Sequence, residues 1–316
     1  MMPVRRRRRR GPAVIGIDCG TTAVKAVALR RAGGRMILAG HAIEPYPADD
    51  PSPTSVAATI ATAARRAAPD ARLAATALAD EQAITRVIKV PAGLDEAALE
   101  TRVQLDIEAT LKQSRQALAF DFRRLAAEPD GDQQAVLVVA ARDRAIAERR
   151  RQLKAAGLRC QLIDLDAHAS VRAALRDDRL PLGPTSAPVA LLDIGARLRL
   201  GIFDRQRLHY CQTHELSDTP GDSDCLRRIE QALAMHHGSA STRVPDAMAL
   251  IGGGASQTLA AAIASRLGSD CYLPDPLRGL ELADAGDADG FAADQSRLVT
   301  AIGLALHAGD RYAHWR

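Results

Sequence analysis

VIGIDCGTTAVKAV, residues Val14 to Val27, runs an apolar segment into Asp18, turns through Gly20, Thr21 and Thr22, and sets out again near Ala23 to Leu29. β-Branched residues favour an extended backbone, and two such runs around a short glycine-bearing turn read as a β-hairpin. The tip offers backbone N–H groups, two hydroxyls and no bulky side chain, a concavity suited to phosphate. Asp18 at the strand end is placed to hold Mg²⁺ through water, since Mg²⁺ takes only one or two carboxylates. Lys25 on the outgoing strand is a point cation for phosphate charge. A strand, not a helix, follows the turn and there is no GxxxxGK[ST], so this is not a P-loop. The alternative is an ordinary tight hairpin with a solvated aspartate.

Around this stretch, composition sets limits. The chain has 316 residues, 47% hydrophobic and 25% charged, enough for two domains of a globular protein. Aromatic residues make up only 3%, so the core must be built from small aliphatic side chains. Of the net charge of +4, six units come from Arg5 to Arg10, and subtracting them leaves −2. The body is therefore not a basic nucleic-acid surface. The arginine run itself reads either as a contact for nucleic acid or the anionic leaflet, or as a disordered leader. No apolar segment follows it as in a signal peptide, and no apolar run approaches the ~20 residues that span a bilayer. Cys19, Cys160, Cys211, Cys225 and Cys271 are odd in number and lack CxxC spacing. They point to thiols in a reducing compartment, not to disulfides or zinc.

Taken in order, Ala13–Ile17, Ala23–Leu29 and Met36–Glu44 predict strands, Ser55–Ala68 an alanine-rich helix and Leu73–Leu78 another strand. From about Asp80 to Gly157 the pattern becomes strand, helix, two strands, helix: an inserted subdomain. Leu158–Leu165 returns as a strand, followed by a helix from Ala167. Residues 181–188 form a linker. VALLDIGARLRLGIF then repeats the opening stretch, aligning Asp193 with Asp18 and Gly195 with Gly20, which implies two similar halves facing each other. Further on, Ala247–Ile251 leads through Gly252, Gly253 and Gly254 into a helix from Gln257. A glycine-rich strand-to-helix turn lets a ligand come close to the backbone at a helix N-terminus. Ser296–His307 predicts the closing helix.

This ordered set resembles the actin-like nucleotide-binding superfamily and, within it, the PilM family of type IV pilus assembly. The likeness runs over about Val14 to Leu306, carried by GIDCGTTAVKAVAL, HAIEPYP, AITRVIKVPAGLDEAALETRVQLDIEA, LVVAARDRAIAERRRQLKAAGLRCQLIDLDAHA, GGGAS and AIGLALHAGD. The resemblance implies an α/β, actin-like (ribonuclease H-like) two-lobed fold with a small α+β subdomain inserted in the first lobe. In residue ranges that is a leader over 1–11, a first lobe over 12–79 and 158–180, a partner-binding insert over 80–157, and a second lobe over 187–316 with a shortened outer subdomain. It further implies a cytoplasmic scaffold at the inner face of the inner membrane, peripheral through its partners. Those partners are the N-terminal tail of PilN, held in a groove beside the insert, and other pilus inner-membrane and motor proteins. No nucleic acid is among them, and homo-oligomers, which actin-like folds form, stay open. The implied cofactors are ATP and Mg, with little or no hydrolysis. Gly20, Thr21 and Thr22 would serve phosphate with Lys25, Asp18 the Mg²⁺, Asp193 and Gly195 the facing loop, and Gly252, Gly253 and Gly254 the adenosine side.

Three departures from the family pattern stand out. Arg197, Leu198 and Arg199 occupy the second phosphate loop, where small or hydroxyl residues are usual. Asp193 and Gly252 are only 59 positions apart, and LKQSRQALAF replaces the usual segment after the inserted helix. Two other readings compete. A small-molecule kinase of the same superfamily needs a general base, for which Asp164, Asp166 and His168 are the candidates. The plainer expectation is that the two aspartates are strand-end residues bridging the halves. The cytoplasmic part of a type II secretion platform protein is the other reading; such chains continue into a membrane helix, and this one stops at Arg316.

Overall fold

Asp18 lies directly opposite Lys25 in the first hairpin of the computed structural model, where β1 (Val14–Cys19) pairs antiparallel with β2 (Ala23–Ala32). The structure describes residues 12–32, 35–47, 52–110, 117–125, 132–183, 187–205, 207–216, 222–239, 245, 247–283 and 288–314. The arginine leader, residues 111–116 of the LKQSRQALAF segment and part of the linker lie outside these residues.

The chain divides into two compact units, one running to Ala77 and from Gln152 on, the other Leu78–Arg151. In the larger unit β3 (Arg35–Pro45) continues the antiparallel meander, and α1 (Pro53–Ala67) crosses to β4 (Leu73–Leu78), which joins β1 in parallel. Ser52 caps α1 by accepting from the Ser55 N–H at 3.2 Å, and Pro53 supplies the fixed φ favoured in a first turn. Ile60, Ala63, Ala64 and Ala67 then bury one face of α1 against Ile15, Ile17, Val24 and Ala26.

The smaller unit folds β5 (Ala83–Pro91), α2 (Glu96–Thr110), β6 (Leu118–Arg124) and β7 (Gln133–Arg142) into an antiparallel sheet of order β5-β7-β6. Leu99, Val103 and Ile107, at four-residue steps on α2, pack on Ile88, Val90, Val136 and Val138.

After α3 (Asp143–Ala155), β8 (Arg159–Leu165) returns to the first sheet beside β4 and leads straight into α4 (Asp166–Ala174). The second sheet begins with the repeat hairpin, β9 (Val189–Ile194) and β10 (Arg197–Phe203), with Arg199 opposite Asp193. Its edge is β11 (Leu208–Glu215), a strand that the sequence reading passed over because its mixed, half-exposed side chains give no alternation. It is followed by α5 (Asp222–Ser239), β12 (Ala247–Ile251), α6 (Gln257–Leu267), β13 (Asp270–Tyr272), β14 (Glu281–Leu282) and α7 (Ala288–His314). The order of the second sheet is β11-β10-β9-β12-β13.

The segment read as second lobe also builds the first: β14 adds in parallel to β3. α7, longer than expected, lies with α4 between the two sheets. Their shared core joins Val27 and Leu29 of the first sheet, Val171 and Ala174 of α4, Ala301, Ile302 and Ala305 of α7, and Leu191 and Phe203 of the second sheet. Two glycines permit this: a Cβ on Gly16 would meet the Ala301 carbonyl oxygen at 2.0 Å, and one on Gly303 the Ala169 oxygen at 1.8 Å. No substitution fits where backbones approach that closely. Ser170 of α4 and Thr300 of α7 pair their hydroxyls at 2.8 Å in the same contact.

Candidate functional site

The tip of the β1–β2 hairpin is a tight turn, with the Gly20 N–H bonded to the Ala23 carbonyl at 3.1 Å and the Thr22 carbonyl accepting from Tyr46 N–H at 3.0 Å. Thr21 and Thr22 are exposed there. The Lys25 ammonium is 3.0 Å from the Asp18 carboxylate and leans over the turn, where a Cβ on Gly20 would meet it at 2.7 Å. The charge of Asp18 holds Lys25 above the ordinary lysine value, against the effect of burial, and Asp193 adds to it. Lys25 is thus paired with Asp18 and lies within the field of Asp193. Arg297 of α7, ion-paired with Asp294 at 2.8 Å, acts on Lys25 in the opposite sense through its charge.

In the β9–β10 hairpin the Gly195 N–H closes onto the Arg197 carbonyl at 3.0 Å. The three residues noted there by sequence go separate ways. Leu198 is wholly buried in the second core, and Arg197 is half-buried beside the turn. Arg199 turns inward: its Nη2 lies 2.5 Å from Asp193, its Nη1 on Asp166, with only 11% of the side chain exposed. Asp166 stands at the junction of β8 and α4, so this guanidinium ties the end of the first sheet to the second.

The glycine turn is packed against the end of β9. Gly252 has φ +95° and places its α-carbon so that a Cβ would lie 2.5 Å from Asp193 Oδ1 and 2.4 Å from the Ile194 oxygen. Its N–H donates to the Ser296 carbonyl at 2.8 Å, and that of Gly254 to the Ile194 carbonyl at 2.8 Å. Gly252 and Gly254 are therefore required by packing on the end of β9, whereas a Cβ on Gly253 would meet nothing within 4 Å. The α6 N-terminus is capped from within, Ser256 accepting from Leu259 N–H at 3.0 Å.

The structure thus pairs Asp18 with Lys25 over Gly20 and packs Gly252 against Asp193, leaves Thr21 and Thr22 on the exposed tip, and spends Gly195 on turn closure and Gly254 on packing against Ile194. It adds Arg297 and Ser170, which have no signal in the sequence because α7 and α4 reach this place only by tertiary packing. Of the kinase candidates, Asp164 and Asp166 are committed to ion pairs and His168 lies on α4. Asp164 accepts from Arg172 and lies against His307 Nδ1, both at 2.7 Å. Burial pushes its carboxyl up, but the His307 hydrogen bond and the Arg172 charge overcome this and hold it well below the usual carboxylate range. A carboxylate so stabilised is a poor base.

Phosphate fits what the first hairpin presents: a small-residue turn, exposed hydroxyls and a lysine. A divalent metal does not fit. Asp18 is engaged by Lys25, and Asp166 and Asp193 by Arg199. Among the described residues no group of three His, Cys, Asp or Glu side chains is placed to hold a metal ion.

A family model described as Type IV pilus assembly protein PilM matches residues 16–219 and 218–309. Among solved structures, a chain from a PilM–PilN type IV pilus biogenesis complex is 21% identical, with 94% of this chain and 98% of that one covered at a TM-score of 0.77. The nucleotide-free diol dehydratase-reactivating factor is similar at a TM-score of 0.51, with 10% identity over 95% of this chain and 100% of that one. The fold is α/β and actin-like.

Proposed function

The chain belongs to the PilM family of type IV pilus assembly proteins, and from that premise we propose that it is a scaffold of the pilus inner-membrane complex. It receives the N-terminal tail of PilN at the cytoplasmic face of the inner membrane and binds ATP with little or no hydrolysis. The observation that carries this reading is the family match along nearly the whole chain, together with mutual coverage of 94% and 98% with a chain of the PilM–PilN complex.

The site chemistry favours the scaffold over a kinase. Phosphoryl transfer to an alcohol needs a carboxylate poised beside the acceptor. Here Asp164 is held by Arg172 and His307 and Asp166 by Arg199. ATP would set its phosphates against Gly20, Thr21, Thr22 and Lys25, with Asp193 across from them. Asp18 holds Lys25 over the turn, and Arg199 holds Asp193.

Isothermal titration of the full chain with a peptide of the PilN N-terminal tail, with and without ATP, tests the proposal. The expected result is peptide binding at about micromolar affinity, −8 kcal/mol, with ATP turnover no faster than background. ATP binding with rapid turnover and no peptide binding would overturn it in favour of the kinase reading. No helix among the described residues is long and apolar enough to cross a membrane, so membrane association in this proposal comes from the partner.

A further inference from the structure

We propose that the Arg199 guanidinium stands where a divalent cation would otherwise bridge Asp166 and Asp193, so that this site takes nucleotide phosphate without a bound metal. The inference rests on the nucleotide reading only for where the phosphates go.

The charges at the two hairpin ends alternate along one chain: Asp18, Lys25, Asp193, Arg199, Asp166. Lys25 is 3.0 Å from Asp18 and also feels the charge of Asp193. Arg199 is 2.5 Å from Asp193 and is ion-paired with Asp166. Every carboxylate in this series already faces a cation of the chain. A bound Mg²⁺ needs one or two carboxylates that can turn to it, directly or through water, together with phosphate oxygens. To take Asp193 or Asp166 it would have to displace a guanidinium that is 11% exposed and held at both ends.

Arginine suits such a position for three reasons. It is charged at every accessible pH, its planar fork reaches two carboxylates at once, and it is less strongly hydrated than an ammonium. The two acids come from different parts of the fold, Asp193 from β9 of the second sheet and Asp166 from the start of α4, directly after β8 of the first. The guanidinium between them therefore performs the joining that a shared ion performs, as a permanent part of the chain. Ser170 Oγ, 3.4 Å from the same Nη2 and itself bonded to Thr300 at 2.8 Å, helps to fix it. Phosphate charge then falls to Lys25, with Arg297 nearby.

The test uses the full chain and Mn²⁺ alone as the metal probe, followed by electron paramagnetic resonance. Wild type should show no saturable site below about 1 mM, while Arg199→Met should gain one at least tenfold tighter, lost again in Arg199→Met/Asp193→Asn. Arg199→Gln, close in shape, serves if the methionine variant does not fold. In the second arm, ATP affinity of wild type in excess EDTA should stay within about threefold of that in Mg²⁺. The proposal is overturned if wild type binds Mn²⁺ at a site that Asp193→Asn removes, if a folded Arg199 variant gains none, or if EDTA weakens ATP tenfold or more. If ATP binds under neither condition, the nucleotide reading fails, and the Mn²⁺ comparison still decides this one.

Discussion

The two hairpins, β1–β2 and β9–β10, repeat one pattern and use it in opposite ways. In the first, the cation answering the aspartate is a lysine on a flexible stem, 3.0 Å from Asp18, above a turn whose threonines are exposed. In the second it is Arg199, locked between Asp193 and Asp166, behind a tip that Gly252 and Gly254 press against at Ile194. The turns differ accordingly. Asp18 faces Lys25 seven positions on, and Asp193 faces Arg199 six positions on, because the second turn is one residue shorter. Both tips are exposed, so the difference lies in the cations: a lysine with one ion pair can turn to a ligand, whereas an arginine held by two carboxylates holds the fold. The first hairpin is built for binding and the second for cohesion.

Four changes would break or sharpen that contrast. The largest effect is expected from Gly252→Ala, which needs a left-handed φ of +95° and puts a Cβ 2.4 Å from the Ile194 oxygen. It should cost about 3 kcal/mol in urea unfolding, and a cost below about 1 kcal/mol would show that the second tip is not held as described. Next, Arg199→Met leaves two carboxylates facing each other without their tie. A loss of about 2 kcal/mol is expected, larger at low salt, and an unchanged midpoint would remove the claim of cohesion.

Lys25→Met should cost about 1 kcal/mol, because Lys25 and Asp18 are partly solvated, yet weaken ATP binding at least tenfold. Its pH dependence separates the hairpins. Asp18 raises the folded-state value of Lys25 above the ordinary 10.5. The stability it contributes is therefore complete below 10.5 and is lost as the pH rises through the raised value. The gap between wild type and Lys25→Met should stay constant to about pH 10 and close above it, while the gap for Arg199→Met persists. The smallest change is Gly20→Ala. Its φ is not left-handed, and the atom in its way, at 2.7 Å, is the end of the Lys25 side chain. Stability should move by less than about 0.5 kcal/mol, while ATP affinity falls as Lys25 is pushed aside. A large stability loss here would make the two tips alike.

Much of this was legible beforehand, and the exceptions share a cause. The hairpins, α1, β4, β12 and α6 follow from runs of apolar residues with clear stops, and the Asp18–Asp193 repeat placed the two halves. β11 escaped notice because an edge strand with half-exposed His, Tyr, Gln and Thr carries no period. The start of α7 was missed because Ala288–Gln295 has little apolar pattern of its own. Arg199 stood out as a departure, but its partner Asp166 could not be named, since nothing local connects a residue after β8 to one on β10.

Sequence by itself determined that each half opens with an aspartate, a glycine turn and a basic residue on the outgoing strand, because β-pairing puts near neighbours opposite each other at a fixed offset. Only the tertiary structure decided what the two basic residues do. Gly16 and Gly303 let α7 settle against β1 and α4 at backbone contact, and that packing carries Asp166 to Arg199 and Arg297 towards Lys25. A hydrogen-bonded ion pair needs its partners within about 3 Å, and beyond about 10 Å exposed charges are screened by salt. Which cation answers which carboxylate is therefore settled by the last few ångströms of helix packing, a distance that no local pattern encodes.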